Sequence, residues 1–392
     1  MAAPDKPALP PALRSLLEAG GALVRRSSSG RVALGRAAPL VSEDAVPRAM
    51  GKLPASLQAA RTEAAQPIAF QDVEKLLKSA WGRPPRKVLD GLEPEPLAVT
   101  PRAQVHRGER DGDALAVKVL RPGLAAAVRN DLGLLDVLAA PLRQVFAAMD
   151  AGAILREMRE SALDELDLEH EASTQRQVRR VLRGVPGLIV PAADLDLSGE
   201  TVLVSELLEG ETLAAGAVPA DPGAVARTLV AAHVTAARAG LVLTDPQPGH
   251  VLVTDDGVGL LGAGLARPVD RDRVTAALAT LVAWRAGDQD GLAAAMSDGL
   301  ALLPATDALK AHALAAVVLG EVLNEPTRLD GPALAAIGER ALAHLPAGLA
   351  VAGALTPHPH DLAVVRSVGQ LAAVLARLGA TEDWGALMLA GA

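Results

Sequence analysis

The chain has no cysteine and no tyrosine, and only two phenylalanines (Phe70, Phe146) and three tryptophans (Trp81, Trp284, Trp384) in 392 residues. Without cysteine there are no disulfides, no thiolate metal sites and no thiol nucleophiles. The near absence of aromatics removes strong strand formers, so the core is expected to be aliphatic and mostly helical. No run of about 18 apolar residues is found, which argues against a membrane-spanning helix. The N-terminus lacks the apolar core of a signal peptide. Arg14 to Arg36 has the Arg- and Ser-rich, acid-poor composition of a transit peptide, but arginine is abundant along the whole chain. The expectation is a soluble, cytoplasmic protein, with peripheral membrane contact left open. A net charge of −8 with both signs interspersed is not a nucleic-acid footprint. The length allows two or three compact units or one large two-lobed domain.

Lysine is also scarce: seven stand against thirty-one arginines. Between Lys87 and Lys310 there is one, Lys118, in the apolar run Leu115-Ala116-Val117-Lys118-Val119-Leu120. Strand alternation puts Ala116, Lys118 and Leu120 on one face and Val117 and Val119 on the other. A lysine against the grain of the composition invites a chemical role; the plain alternative is an edge-strand lysine snorkelling to water.

Along the chain, helical patterns run over Leu13 to Val24, Leu53 to Ala64 and Phe70 to Ala80, the last stopped near Gly82-Arg83-Pro84-Pro85. Glu93-Pro94-Glu95-Pro96 reads as a rigid linker at a domain boundary. A hairpin is expected from Ala103–Gly108 and Ala114–Leu120, closed by Arg110-Asp111-Gly112-Asp113. Leu124 to Met149 has helical spacing, and a longer helix is expected from about Ala153 to Leu182 with Asp150 as N-cap. A second hairpin joins Leu188–Leu197 to Thr201–Leu207 through Ser198-Gly199. Pro222 to Arg238 is helical, and a third hairpin turns at Asp255-Asp256-Gly257. From Asp270 onward the sequence reads as Ala/Leu helices.

The stretch Asp245-Pro246-Gln247-Pro248-Gly249-His250, an apolar strand, and Leu260-Leu261-Gly262-Ala263-Gly264 has the spacing of a kinase catalytic loop followed by its metal-binding turn. Two prolines stiffen this loop and remove two amide donors. Taken alone, an ordinary Asp-Pro turn would explain Asp245; the spacing to positions 250 and 262 favours a site. Glu165-Leu166-Asp167-Leu168-Glu169-His170-Glu171-Ala172 packs four acids into seven positions. Such a run is usually a solvated helix face, yet a half-buried Lys118 needs one of them as its partner.

With these residues assembled, the chain resembles the UbiB/AarF family of atypical kinase-like proteins, known in eukaryotes as ADCK proteins, over roughly residues 50–270. Leu115 to Gly123 resembles the family's V-A-V-K-V-x-R-P-G, Glu165-Leu166-Asp167 with Glu171-Ala172 its E-L-D…E-A, and Gly240 to Val253 its G-F-F-H-A-D-P-H-P-G-N segment. Pro96 to His106 resembles its Ala-rich loop and Q-V-H strand. The resemblance implies an α+β, two-lobed protein-kinase-like fold, with a small β-sheet N-lobe carrying added helices and a mostly helical C-lobe. The expected divisions are an N-terminal extension at 1–92, the N-lobe at 93–210 and the C-lobe at 211–392. It implies nucleotide contacts at Ala98, Val99, Thr100, Lys118, Glu171 and Glu206, with Asp245 as remnant base.

The departures are more telling. The K-x-G-Q motif would fall at Ala33-Leu34-Gly35-Arg36, where only the glycine remains. Pro101 replaces a serine, Leu243 and Gln247 replace histidines, His250 replaces the metal-binding Asn and Gly262 the metal-binding Asp. Mg²⁺ wants oxygen ligands, for which imidazole is a poor substitute, and glycine offers none. Losing the bridging metal removes several kcal/mol of charge stabilisation, a slowing of roughly a thousandfold or more. Asp255 or Asp256 are stand-ins only if they are not simply turn residues. The expectation is a pseudokinase that binds ATP or ADP weakly and without Mg²⁺, in a regulatory or scaffold role. By resemblance, that role is tied to quinone or lipid metabolism, with no nucleic-acid partner. The alternatives are an active ATPase or kinase using His250, and a helical module that binds protein or lipid.

Overall fold

Val117 and Val119 are fully buried while Ala116 and Lys118 face the opposite side, so the period-two reading of this strand holds. The computed structural model describes residues 66–390 apart from 101, 134–139, 141, 142 and 145. The helical patterns expected at 13–24 and 53–64, the stretch at 33–36 and Pro101 lie outside the described residues.

Helix α1 (Phe70–Trp81) precedes β1 (Gly91–Val99), β2 (Ala103–Arg110) and β3 (Asp113–Leu120). Then come α2 (Leu124–Asp131), α3 (Ala151–Asp164), α4 (Leu168–Val181), β4 (Leu188–Ile189), β5 (Ala193–Gly199) and β6 (Val202–Glu206). An antiparallel sheet in the order β1-β2-β3-β6-β5 forms the first lobe. Its β-branched residues do the work aromatics would otherwise do: Val117, Val119, Val202 and Val204 pack with Val73 and Leu77 of α1. On the other side Leu120 and Leu203 pack with Leu168 and Ala172 of α4.

Three expectations are corrected. Glu93 to Pro96 is no linker but part of β1, the edge strand, where proline costs no ladder bond and register slips around Pro96 absorb it. The strand is stitched down by His106 Nδ1, 2.8 Å from the Glu93 carbonyl. The helix expected from 153 to 182 is two helices, because Asp167 caps α4 by accepting from the Glu169 and His170 amides. The Asp150 cap of α3 is as expected. Leu188 and Ile189 leave the second hairpin, beyond Pro191, and pair in parallel with a strand of the second lobe.

The second lobe opens with β7 (Glu211–Thr212), α5 (Pro222–Arg238) and β8 (Leu241–Val242). It continues through β9 (Val251–Thr254), β10 (Gly257–Leu260) and β11 (Arg267–Pro268). Helix α5 has the bounds expected, and its Ala, Val and Leu residues are divided among three separate buried clusters. Strands β4, β10, β9 and β7 make a small sheet under the cleft. Apart from a short antiparallel pair, Thr327–Arg328 with Thr381–Glu382, the remaining elements are helices: α6 (Arg271–Ala286), α7 (Gln289–Ala294), α8 (Ala305–Leu319), α9 (Gly331–Ala343), α10 (Leu345–Ala354), α11 (Asp361–Leu378) and α12 (Trp384–Ala390). Among the described residues no helix is long and apolar enough to cross a membrane.

Candidate functional site

Between the lobes lies a cleft of about 1290 Å³, and the sequence-predicted residues divide between its wall and the interior behind it. Ala98, Thr100, Lys118, Glu171, Glu206 and His250 line the cleft; Val99, Asp245 and Gly262 do not. Val99 follows Ala98 on a pleated strand, so alternation turns it to the opposite face. Thr100 is committed to its own loop: its hydroxyl accepts from the Ala103 amide at 2.9 Å and donates to the Ala103 carbonyl. Glu206 stands where the chain passes between lobes; its amide donates to the Ala192 carbonyl at 2.8 Å and its carboxylate accepts from the Ala192 amide.

Lys118 Nζ lies 2.5 Å from Glu171 Oε1, joining β3 to α4 as the spacing predicts. Sequence reasoning missed the second cation on this carboxylate. Arg102 Nη2 sits 3.3 Å from Glu171 Oε2, with side chains only 9% and 6% exposed, and Arg102 Nη1 donates to the Glu165 carbonyl at 2.7 Å. Close approach from below holds Glu171 in place. A β-carbon on Gly264 would collide with the Glu171 Cγ and carbonyl, so glycine is required where α4 rests on the turn.

Asp245 is bonded from several sides. Its side chain is 1% exposed and faces the interior of the second lobe. Gln370 Nε2 donates to Oδ1 at 3.3 Å and Arg366 Nη2 reaches the same oxygen at 3.5 Å, both from α11. Gln247 Nε2 donates to Oδ2 at 3.3 Å, and His250 Nδ1 is 3.3 Å from Oδ2 and 3.0 Å from the Asp245 carbonyl. Arg366 also pairs with Glu165 Oε1 at 3.1 Å. A belt of charge therefore runs from Lys118 through Glu171, Arg102, Glu165 and Arg366 to Asp245, crossing from one lobe to the other.

The kinase-like spacing raises the question of a divalent metal, and the residues present do not fit one. A β-carbon at Gly262 would collide with His250 Nδ1, so the imidazole fills the space where a ligand side chain would project. Both Asp245 oxygens are engaged by Arg366, Gln370, Gln247 and His250. Among the described residues no group of three or more His, Asp or Glu side chains is placed to hold a metal ion. Asp255 and Asp256 lie in the turn of the β9–β10 hairpin, away from the cleft wall.

Residues 61–296 match the model of the ABC1 atypical kinase-like domain. The probable protein kinase UbiB of Marinobacter nauticus is 30% identical over 152 residues, covering 38% of this chain and 28% of that protein. The AarF domain-containing protein kinase 1 of Xenopus tropicalis is 30% identical over 198 residues, 47% of this chain and 36% of the other. The matched region thus spans about a third of the length of these curated relatives. In fold the chain is similar to Rv3197 of Mycobacterium tuberculosis, solved as a complex with erythromycin, with a TM-score of 0.62 and 22% identity over 90% of this chain and 89% of the other.

Proposed function

The chain belongs to the ABC1 atypical kinase-like family, and on that premise we propose that it is a pseudokinase that binds an adenine nucleotide weakly without carrying out phosphoryl transfer. One observation supports this most: the residue at the base position, Asp245, is buried behind the cleft wall and bonded by α11, while Lys118 and Glu171 remain on the wall. A general base must lie within hydrogen-bond reach of the proton it takes, directly or through one water. The phosphate-gripping pair is kept, and the groups for base and metal are turned to structural use. The role that fits is regulatory or scaffolding.

Thermal-shift titration with ATP and ADP, in Mg²⁺ and in EDTA, tests the reading. A stabilisation equal in both media, with no release of phosphate, is the expected result. Turnover in Mg²⁺ would overturn it.

A second reading rests on the size of the cleft, which exceeds the usual 300–1,000 Å³ or so of small-molecule pockets. Its far end is lined by Leu334 and Ile337 of α9 and by Gly369, Ala372 and Ala373 of α11. This apolar end favours a large hydrophobic ligand there, consistent with a setting in quinone or lipid metabolism. Binding of a short-chain isoprenoid quinone, compared between the native chain and Ala372→Trp, measures it; equal binding would count against this end of the cleft.

A further inference from the structure

We propose that the far end of the cleft binds a long-chain carboxylate, with its head on Arg377 and its chain along α9 and α11. The inference rests on the second reading above, a large hydrophobic ligand at this end, and names the class of that ligand.

Charge is unevenly placed on the cleft wall. Its carboxylates, Glu171, Glu206, Glu209 and Glu211, come from α4, β6, β7 and the segment between β6 and β7. Of the lining residues that α9 and α11 contribute, Arg377 alone has a charged or polar side chain. It is exposed, in the last turn of α11. Among the described residues no carboxylate pairs with its guanidinium and no group hydrogen-bonds it. The helix dipole favours a cation in a last turn, but it does not account for one set on an apolar wall.

The neighbours of Arg377 define the ligand. Side chains on a helix lean toward its N-terminus, so Arg377 leans over Ala373, one turn back and also on the cleft wall. From there the wall runs back along α11 through Ala372 and Gly369, beside Leu334 and Ile337 of α9. From Arg377 to Gly369 the helix rises about 12 Å. Beyond the cleft the same face carries Val368 and Val365, 59% and 69% exposed. A chain longer than the wall leaves the cleft over these valines and removes their apolar surface from water.

The head follows from the cation. A guanidinium is a planar fork that takes a carboxylate through two parallel N–H bonds. One positive charge balances one carboxylate. A phosphate monoester, close to doubly charged at neutral pH, needs a second cation, and α9 and α11 place none on this wall. A neutral head leaves Arg377 without a partner.

Decanoate, decanol and decyl phosphate, compared by isothermal calorimetry below their micelle concentrations, test the assignment. The native chain should bind decanoate at least about tenfold more tightly than decanol, and more tightly than decyl phosphate. Arg377→Gln should bring decanoate down to the level of decanol and leave decanol unchanged, with Arg377→Lys between. Ala372→Trp should weaken all three, and tetradecanoate should bind the native chain more tightly than decanoate. Decanoate no tighter than decanol, or a preference that survives Arg377→Gln, overturns the proposal and leaves a hydrophobic ligand at this end standing. Decyl phosphate tighter than decanoate overturns the carboxylate, and no gain with tetradecanoate overturns the path over Val368 and Val365. No binding of any probe, or binding untouched by Ala372→Trp, overturns both the proposal and the reading beneath it.

Discussion

A β-carbon at position 262 has nowhere to go: it would meet His250 Nδ1 and lie 3.0 Å from the Asp245 carbonyl. Position 250 carries a ring where the resemblance implies an asparagine, and glycine at 262 leaves room for that ring. The two substitutions are therefore coupled by volume as well as by metal chemistry. Gly262→Asp alone should cost about 1–3 kcal/mol, since the ring must leave its bonds to Asp245 and Gln247. His250→Asn gives a shorter side chain that can turn aside, so the double variant should be more stable than the sum of the singles predicts, by about 1 kcal/mol or more. Urea denaturation of the four chains measures this coupling, and strict additivity would refute it. The double variant should also acquire Mg²⁺-dependent nucleotide binding that neither single shows.

Helix α11 holds the Asp245 carboxylate. Arg366 and Gln370 lie on one face of it, four residues apart, and both reach the same carboxylate oxygen. Arg366→Ala leaves a buried carboxylate short of its cation and should destabilise the chain by about 1–3 kcal/mol. Adding Asp245→Asn removes that unbalanced charge and should recover part of the loss. Because Asp245 is not on the cleft wall, Asp245→Asn alone should leave ADP affinity within about twofold of native, less than 1 kcal/mol. A large fall in ADP affinity would return Asp245 to the binding site. These contacts also mark the limit of what the sequence discloses. Pro222 to Arg238 and the hairpins around Gly112 and Gly257 were legible because caps, turns and periodicity are local signals. The break at Glu165–Asp167 was hidden because Asp167 reads equally as one more acid on a continuous helix. Lys118 and Glu171 were found through a motif, but Arg366 acts across 121 residues and Arg102 looks like any loop arginine. No local pattern announces either one.

At the scale of the whole chain, the lobes are joined by the belt from Lys118 to Asp245 with the Arg267–Asp164 ion pair, by the β4–β10 pairing and the packing of α4 on the second lobe, and by the segment around Gly210. Gly210 has φ near +152°, and a β-carbon there would run into the Val253 carbonyl of β9. Alanine at 210 must therefore lift the connecting segment off β9, next to the Glu211–Val253 pairing that anchors β7. Backbone strain of this kind costs about 1–3 kcal/mol. Two tryptophans report on the two lobes. Trp81 Nε1 donates to the Leu197 carbonyl in the first, and Trp384 Nε1 to the Thr327 carbonyl in the second. With the belt intact the lobes should unfold as one unit, so chains keeping only Trp81 or only Trp384 should give coincident urea transitions. Gly210→Ala should move both midpoints down together, by the same free energy. If the Trp384 transition falls while the Trp81 transition stays in place, the belt does not weld the lobes. The cleft would then be a joint between two separately folding bodies, and the charge that lines it would have to be explained by its ligand alone.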